Sequence, residues 1–279
     1  MDPGGSPRDS SRSASVVFPT GAKNEGPAVV CGALLFVCPR GEAEARKSRD
    51  SIRQLYGWQV QSASPLPYPA IQEVLSAPRM STYLAATGCD PHRALSLYGW
   101  NAQVSAALML PAHFAEISIR NAVDEVLASL YGPRWPWDAT FERSLPSPGG
   151  PAFNPRRHLQ QTRLHHATTG KVIADLKFVF WPSMFTARHH VRLWAPHLHA
   201  HFPGLPKSQG AANGRDRIWN DLQAIRALRN RLAHHEPIIS RNIGADFTRI
   251  LDLIELRSPD TAAWVRKLET VSSLQRNRP

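Results

Sequence analysis

The chain has 279 residues, of which 42% are hydrophobic, and this is enough to bury a full core in one domain with a terminal extension. Lysine and arginine number 33 against 22 aspartate and glutamate, so the formal net charge is +11. That surplus favours a polyanionic partner such as RNA, and the alternative is a solvated basic surface without a partner. The cysteines Cys31, Cys38 and Cys89 exclude a CxxC metal pair and an even-numbered disulfide framework, which indicates a reduced, cytoplasmic setting.

The first sixty residues differ in composition from the rest of the chain. They open with MDPGGSPRDSSRSAS, a composition typical of disorder, so residues 1–60 are predicted to be a flexible, disordered N-terminal extension. The apolar run Ala28–Cys38 is well short of the roughly 20 residues that a membrane helix needs. It also lies behind a lead rich in Ser, Pro and Gly, so we predict no membrane segment and no targeting segment.

The folded domain is expected over residues 61–279, where the string PYPAIQEVL opens a helical pattern. Asp90 is a good N-cap, and Pro91 suits the first position of a helix that runs toward Leu110. Because proline lacks an N–H group, we expect Pro111 to end this helix.

The next predicted helix runs from about His113 to Tyr131, where a Gly-Pro pair stops it. An apolar stripe through Ile119 defines its buried face, and stepping back three residues from Ile119 reaches Glu116. Glu116 and Arg120 are four residues apart in the favourable order, so these two side chains can form an ion pair.

The segment from Pro133 to Thr169 is rich in Pro, Gly and Arg and is predicted to be a long irregular connection. No alternating strand pattern of any length occurs in the sequence, so the fold class is predicted to be all-α, a helical bundle. The remaining predicted helices cover residues 172–180, 190–201, 215–235, 246–256 and 260–274.

The helix that ends near residue 235 carries a positive charge in its apolar pattern. Alternating steps of four and three from Ile218 pass through Ile225 and reach Arg229, where a leucine would be expected. A guanidinium in an apolar seam is costly unless an anion meets it. The sequence therefore implies either a carboxylate or a phosphate beside Arg229.

Two histidines stand at the end of the same helix. Pro237 cannot donate to a helix and disfavours helical backbone at Glu236, so His234 and His235 are predicted to lie in the last turn. A helix C-terminus favours a protonated imidazole. On an ideal helix a five-residue step turns about 140°, so Arg229 and His234 meet one ligand only if the last turn is distorted or a second copy completes the site.

The string RNRLAHHEP, residues 229–237, resembles the R-x4-H signature of the HEPN superfamily of helical ribonucleases. It is most similar to the Abi-like, abortive-infection branch (AbiD/AbiF type). Two further segments resemble that branch in the same order, EISIRNAVDEVL at residues 116–127 and ADLKFVFWPSMF at residues 174–185. The resemblance extends over residues 65–268 and implies a HEPN-like helical bundle.

The resemblance implies a metal-independent endoribonuclease that acts in antiphage defence or as a toxin. In such an enzyme the 2′-hydroxyl of the RNA attacks the neighbouring phosphate and leaves a 2′,3′-cyclic phosphate and a 5′-hydroxyl. By this reading His234 is the general acid/base, Arg229 clamps the phosphate and Asn230 orients substrate or histidine. No cofactor and no metal are expected.

Other residues are assigned to the site by the same resemblance. Glu116, Arg120 and Asn121 would form a supporting shell, with Glu116 as a candidate partner of Arg229 in the free enzyme. His235 and Glu236 belong either to the site or to the capping of the helix end. Family members are usually homodimers with facing motifs, so a homodimer is expected, and an antitoxin or another regulatory protein is a further candidate partner.

Less specific interpretations stay open beside this one. Arg229 can be a structural arginine paired with Glu116, and the chain can be a non-catalytic helical module that binds RNA or a protein partner. His197 and His201 have metal-ligand spacing, but no carboxylate or thiolate completes a recognisable ligand set. The aromatic residues around Trp181 are predicted to be core, with base stacking as the alternative.

Overall fold

The computed structural model describes residues 66–279, which lie within one compact unit and fold entirely as helices and connecting turns. The predicted all-α class is therefore confirmed for this part of the chain. The predicted extension over residues 1–60, the apolar run Ala28–Cys38 and the cysteines within that run lie outside the described residues. Within residues 66–279, none of the helices combines the length and the apolar character of a membrane span.

Twelve α-helices occur in the described part of the chain. A π-helical turn at His190–Trp194 and three short 3-10 turns join some of them. The α-helices are α1 (Tyr68–Leu75), α2 (Ala77–Ala86), α3 (Pro91–Tyr131), α4 (Ala139–Ser144), α5 (Pro155–Leu164), α6 (Thr169–Asp175), α7 (Phe180–Ser183), α8 (Ala195–His201), α9 (Gly210–Ala233), α10 (Ile243–Arg257), α11 (Pro259–Leu268) and α12 (Val271–Arg276).

The long helix α3 is the centre of the bundle, and α2, α9, α10 and α12 pack against it. Its start is the one predicted, because the Asp90 side chain accepts hydrogen bonds from the backbone N–H groups of His92 and Arg93, at 2.9 and 3.1 Å. It ends at Tyr131, before Gly132 with φ 81°, as the Gly-Pro pair predicted.

The prediction that Pro111 ends a helix is wrong, because α3, which is 41 residues long, continues through it to Tyr131. An internal proline removes one backbone hydrogen bond and costs about 3 kcal/mol in a helix. Here Pro111 is itself buried, and fully buried side chains such as Leu108 and Ile119 lie on both sides of it. Burial of the residues on both sides of Pro111 offsets the lost bond, so tertiary packing overrides the local signal.

The segment 133–169 is also more ordered than predicted, since it contains the 3-10 turn Trp135–Trp137 together with α4 and α5. Trp135 and Phe141 are fully buried, and the Trp135 indole N–H donates to the Asp124 carboxylate at 2.6 Å. The many prolines and glycines of this segment made its short helices unpredictable from the sequence pattern, and tertiary contacts stabilise these helices. The helix predicted over residues 260–274 is likewise divided, into α11 and α12.

The aromatic residues near Trp181 form part of the core, as predicted. Trp181, Phe180 and Phe185 are fully buried, and Phe178 is nearly so. The ring of Phe185 stacks on that of Trp194 with centroids 4.2 Å apart. These rings hold the short helices α7 and α8 against the bundle, and being buried they leave no face for stacking a base.

Candidate functional site

The buried face of α9 follows a different line from the predicted one. After Ile225 the next buried residue is Leu228, which is 1% exposed, and Leu232 follows four residues later. A period of 3.6 residues allows a step of three or four at that point, and the chain takes three. Arg229 therefore lies half-buried at the edge of the apolar seam. The prediction that it lies within the seam is wrong.

Helix α9 ends in a Schellman motif built on a histidine. The backbone N–H of Glu236 donates to the carbonyl of Arg231 at 2.9 Å, and that of His235 donates to Leu232 at 3.1 Å. His234 is the C-cap, and His235 takes the left-handed conformation with φ 54°. The Glu236 carboxylate also lies 3.5 Å from the Arg231 guanidinium, so His235 and Glu236 both help to form this helix end.

Two contacts that the sequence did not predict anchor the chain beyond this helix end. The Arg79 guanidinium donates to the carbonyl of His235 at 2.8 Å, and the side-chain oxygen of Asn101 accepts from the buried N–H of Ile238 at 2.8 Å. A sequence signal exists only for Asn101, which falls on the buried stripe of α3 four residues after Leu97. A polar side chain at a core position needs a hydrogen-bond partner.

Arg229 lines a solvent-open cavity of about 360 Å³ between α3, α9 and the end of α6. The structure therefore brings together three of the predicted site residues, Arg229, Glu116 and Arg120, although they come from segments more than a hundred positions apart. The complete lining consists of Met109, Ala112, His113, Glu116, Ile117, Arg120, Ala174 and Arg229.

Both terminal nitrogens of Arg120 are engaged within the protein. It forms the predicted ion pair with the Glu116 carboxylate, and its other terminal nitrogen donates to the carbonyls of Ile173 and Ala174, at 2.6 and 3.0 Å. Its guanidinium also lies 5.5 Å from the ring centre of Trp181. Arg120 thus joins α3 to α6 and α7, which is a supporting role.

The predicted pairing of Glu116 with Arg229 is not formed. Glu116 is taken by Arg120, four residues along its own helix, and this pairing neutralises its charge. Among residues 66–279, no carboxylate lies within 4.0 Å of the Arg229 guanidinium, and no side chain or backbone carbonyl accepts a hydrogen bond from it. The cavity therefore retains the positive charge of Arg229.

The other predicted catalytic residues do not line this cavity. His234 and Asn230 are both exposed, and the carbonyl of Asn230 accepts the backbone N–H of His234 at 2.9 Å. Asn121 is exposed on α3 and is likewise absent from the lining. Since α9 is helical through Ala233, the five-residue step keeps Arg229 and His234 about 140° apart around the helix axis, and the last turn is not distorted enough to join them.

A second cavity, of about 440 Å³, lies beside the first and shares Met109 with it. No residue of it except His235 was predicted to matter. Burial and the neighbouring Tyr98 raise the pKa of Tyr83 to about 12, so its hydroxyl remains protonated. The lining consists of Tyr83, Tyr98, Asn101, Ala102, Ser105, Ala106, Met109, Leu232, Ala233 and His235.

The described residues contain no group of three His, Cys, Asp or Glu side chains that could hold a metal ion. His197 and His201 are neighbours on α8, with ring centres 6.4 Å apart. The Nδ1 atom of His201 instead lies 3.0 Å from one carboxylate oxygen of Glu125, and the other oxygen of that carboxylate pairs with Arg257. These contacts join α8 to α3 and α10.

Comparisons of this chain with protein families, with curated proteins and with solved structures found no match.

Proposed function

We propose that this protein is a metal-independent endoribonuclease in which Arg229 binds the scissile phosphate and His234 transfers protons. The observation that carries the proposal is the guanidinium of Arg229, which lines an open cavity without an anionic partner among the described residues. The resemblance of residues 229–237 to the HEPN signature supplies the reaction.

The charges around the cavity favour a phosphate as the ligand of Arg229. The nearest acidic side chain in the lining, Glu116, is neutralised by Arg120, so it does not repel an incoming anion. A guanidinium offers two parallel N–H donors that match two phosphate oxygens. The net charge of +11 also favours approach of an RNA strand.

The proposed reaction is a transesterification within the RNA. The 2′-oxygen attacks phosphorus, its proton passes to a base, and the bond from phosphorus to the 5′-oxygen breaks as that oxygen takes a proton. Histidine is the side chain that most often transfers protons in enzymes, as base or as acid. His234 is exposed at the end of α9, with Asn230 one helical turn before it to orient the ring or the strand.

A second copy of the chain would bring His234 to the phosphate. The side chains of Met109 and Ile117 at the rim of the Arg229 cavity are 41% and 42% exposed, so an apolar surface borders it. In the proposed dimer two copies pack at this surface, and Arg229 of one copy and His234 of the other act on the same phosphate. We therefore propose a homodimer as the active form.

The test is incubation of the purified full-length protein with total RNA in EDTA. We expect cleavage that leaves 2′,3′-cyclic phosphate and 5′-hydroxyl ends, with a loss of at least about 100-fold in His234→Ala and Arg229→Ala. Arg217→Ala removes an equal charge from the same helix, where Arg217 lies 4.0 Å from Asp221, and should retain activity. His165→Ala, at an exposed histidine elsewhere, should also retain it.

The second candidate is a non-catalytic module that binds RNA or a protein partner through the same surface. The observation that favours it is the absence of His234 from the Arg229 cavity of a single chain. Under this reading the wild type and both variants leave RNA intact. Cleavage that stops when a chelator is added would argue instead for a metal enzyme.

We also propose that the ribonuclease acts as an antiphage or toxin effector, restrained by an antitoxin or another regulatory protein. Expression of the wild type should then arrest growth, and expression of His234→Ala at the same level should not. Equal growth with the two proteins would contradict this role without bearing on cleavage in vitro.

A further inference from the structure

The second cavity has walls suited to a flat aromatic ligand. Its volume of about 440 Å³ is within the range of small-molecule sites. Tyr83 and Tyr98 meet edge to face on one side of it, with ring centres 5.0 Å apart. Ala102 and Ala106 are small, so a ring can approach the backbone of α3 closely.

A side-chain donor on a largely buried residue remains available to a ligand in this cavity. Asn101 is only 6% exposed, and its Oδ1 atom accepts a hydrogen bond from the N–H of Ile238. Its amide nitrogen is therefore the donor that remains for a ligand. Within residues 66–279 this nitrogen has no hydrogen-bond partner, and neither have the hydroxyl groups of Ser105 and Tyr98 in the same lining. An apolar cavity with a few unused polar groups is typical of a ligand site.

The position of the cavity relates it to Arg229. Met109 belongs to the linings of both cavities, which are therefore direct neighbours. On α9 the lining residue Leu232 follows Arg229 by three positions, a rise of about 5 Å. A ligand whose phosphate lies at Arg229 can therefore place its next group in this cavity.

We propose that this cavity binds a nucleobase of the RNA strand whose phosphate lies at Arg229, an inference that rests on the proposed function. A nucleobase combines a flat face, which contacts the tyrosine rings, with polar edges that can accept from the Asn101 amide and bond to Ser105. An aliphatic ligand would cover the Asn101 amide nitrogen without accepting its hydrogen bond, which is unfavourable.

The test compares two ligands that carry equal charge. One is a 2′-O-methyl RNA hexamer of mixed sequence, which has no attacking hydroxyl, and the other is a fully abasic hexamer with the same phosphates. The wild-type protein should bind the first at least about tenfold more tightly, since one stacked and hydrogen-bonded base is worth that factor. Equal affinity for the two hexamers would overturn the proposal.

Variants locate the preference for bases in this cavity. The double variant Ala102→Leu/Ser105→Leu fills the cavity and removes a hydroxyl, so the tenfold ratio should fall to about one. Gln103→Leu changes an exposed neighbour on α3 that is absent from the lining, and should keep the ratio. Arg229→Ala should weaken binding of both hexamers by the same factor, because it removes a phosphate contact only.

The result can be separated from that of the cleavage assay. A protein that cleaves RNA but binds the two hexamers equally retains the proposed function and lacks the nucleobase site. A protein that keeps the binding ratio but cleaves nothing has the site without the enzyme. If the double variant, and not Gln103→Leu, converts a dimer into a monomer, the cavity belongs to the contact between copies and the proposal falls.

Discussion

The side-chain oxygen of Asn101 accepts a hydrogen bond from the backbone N–H of Ile238, at 2.8 Å, and both residues are buried. Asn101 lies in the first half of the central helix α3, and Ile238 follows His234 of the R-x4-H motif by four residues. This bond therefore fixes the end of the motif against the helix that carries Glu116 and Arg120.

Replacing Asn101 with alanine should destabilise the protein and loosen the motif. The Ile238 N–H would lose its one partner among the described residues while Ile238 stays fully buried, so the free energy of unfolding should fall by about 1–3 kcal/mol. Urea denaturation measures this, and amide hydrogen exchange should increase at residues 234–238. Gln103→Ala, at an exposed position on the same helix, should change stability by less than about 0.5 kcal/mol.

Arg120→Ala should lower the free energy of unfolding by about 2–4 kcal/mol, because it leaves the Glu116 carboxylate and the carbonyls of Ile173 and Ala174 without their donor. Chemical denaturation of the two proteins gives the difference. The control is Arg266→Ala, which breaks an exposed ion pair with Glu255 and should cost less than about 1 kcal/mol. Similar losses in both variants would mean that the Arg120 network contributes no more than a surface pair.

The same substitution, glycine to alanine, should have opposite effects at two positions. Gly99 lies inside α3 with open space where a Cβ would be, so Gly99→Ala should raise the unfolding free energy by about 0.5–1 kcal/mol. At Gly204 the added Cβ would lie 2.9 Å from the Cα of Leu256, a backbone atom that cannot move alone, so Gly204→Ala should lower it by about 1–3 kcal/mol. Thermal unfolding of the two variants gives the sign of each change.

His189 should make the fold sensitive to acid. Burial first, and then the charges of Arg192 and Arg188, lower its pKa from 6.5 to about 4. Neither ring nitrogen has a hydrogen-bond partner among the described residues. Above pH 6.5 the histidine is neutral in both states and has no effect. As the pH falls below 6.5, the unfolded chain takes up a proton that the folded chain does not, so the free energy of unfolding decreases. The decrease reaches about 3 kcal/mol near pH 4.

His189→Met carries no charge at any pH and fills a similar space. The difference in unfolding free energy between wild type and His189→Met should therefore shift by about 3 kcal/mol between pH 7 and pH 4, to the disadvantage of the wild type. His165→Gln, at an exposed histidine, removes another ionisable ring and controls for the general effect of acid. A difference that stays constant with pH would show that His189 takes up its proton equally in both states.

The sequence determined the features that depend on a few neighbouring residues. Asp90 and Pro91 specify where α3 begins, and the proline at residue 237 specifies where the motif helix ends, because capping and the missing N–H act over three or four residues. The ion pair of Glu116 with Arg120 follows from spacing on one helix turn.

Only the tertiary structure decided the features that join distant parts of the chain. In the folded chain α3 continues through Pro111, and Arg229 lies at the edge of the seam while Glu116 pairs with Arg120. Asn101 and Ile238, which are 137 positions apart in the sequence, form a hydrogen bond. Local preferences amount to about 1 kcal/mol per residue, whereas the burial of a helix face sums many such contributions. Where the two disagree, packing therefore determines the conformation and the partners of each charged side chain.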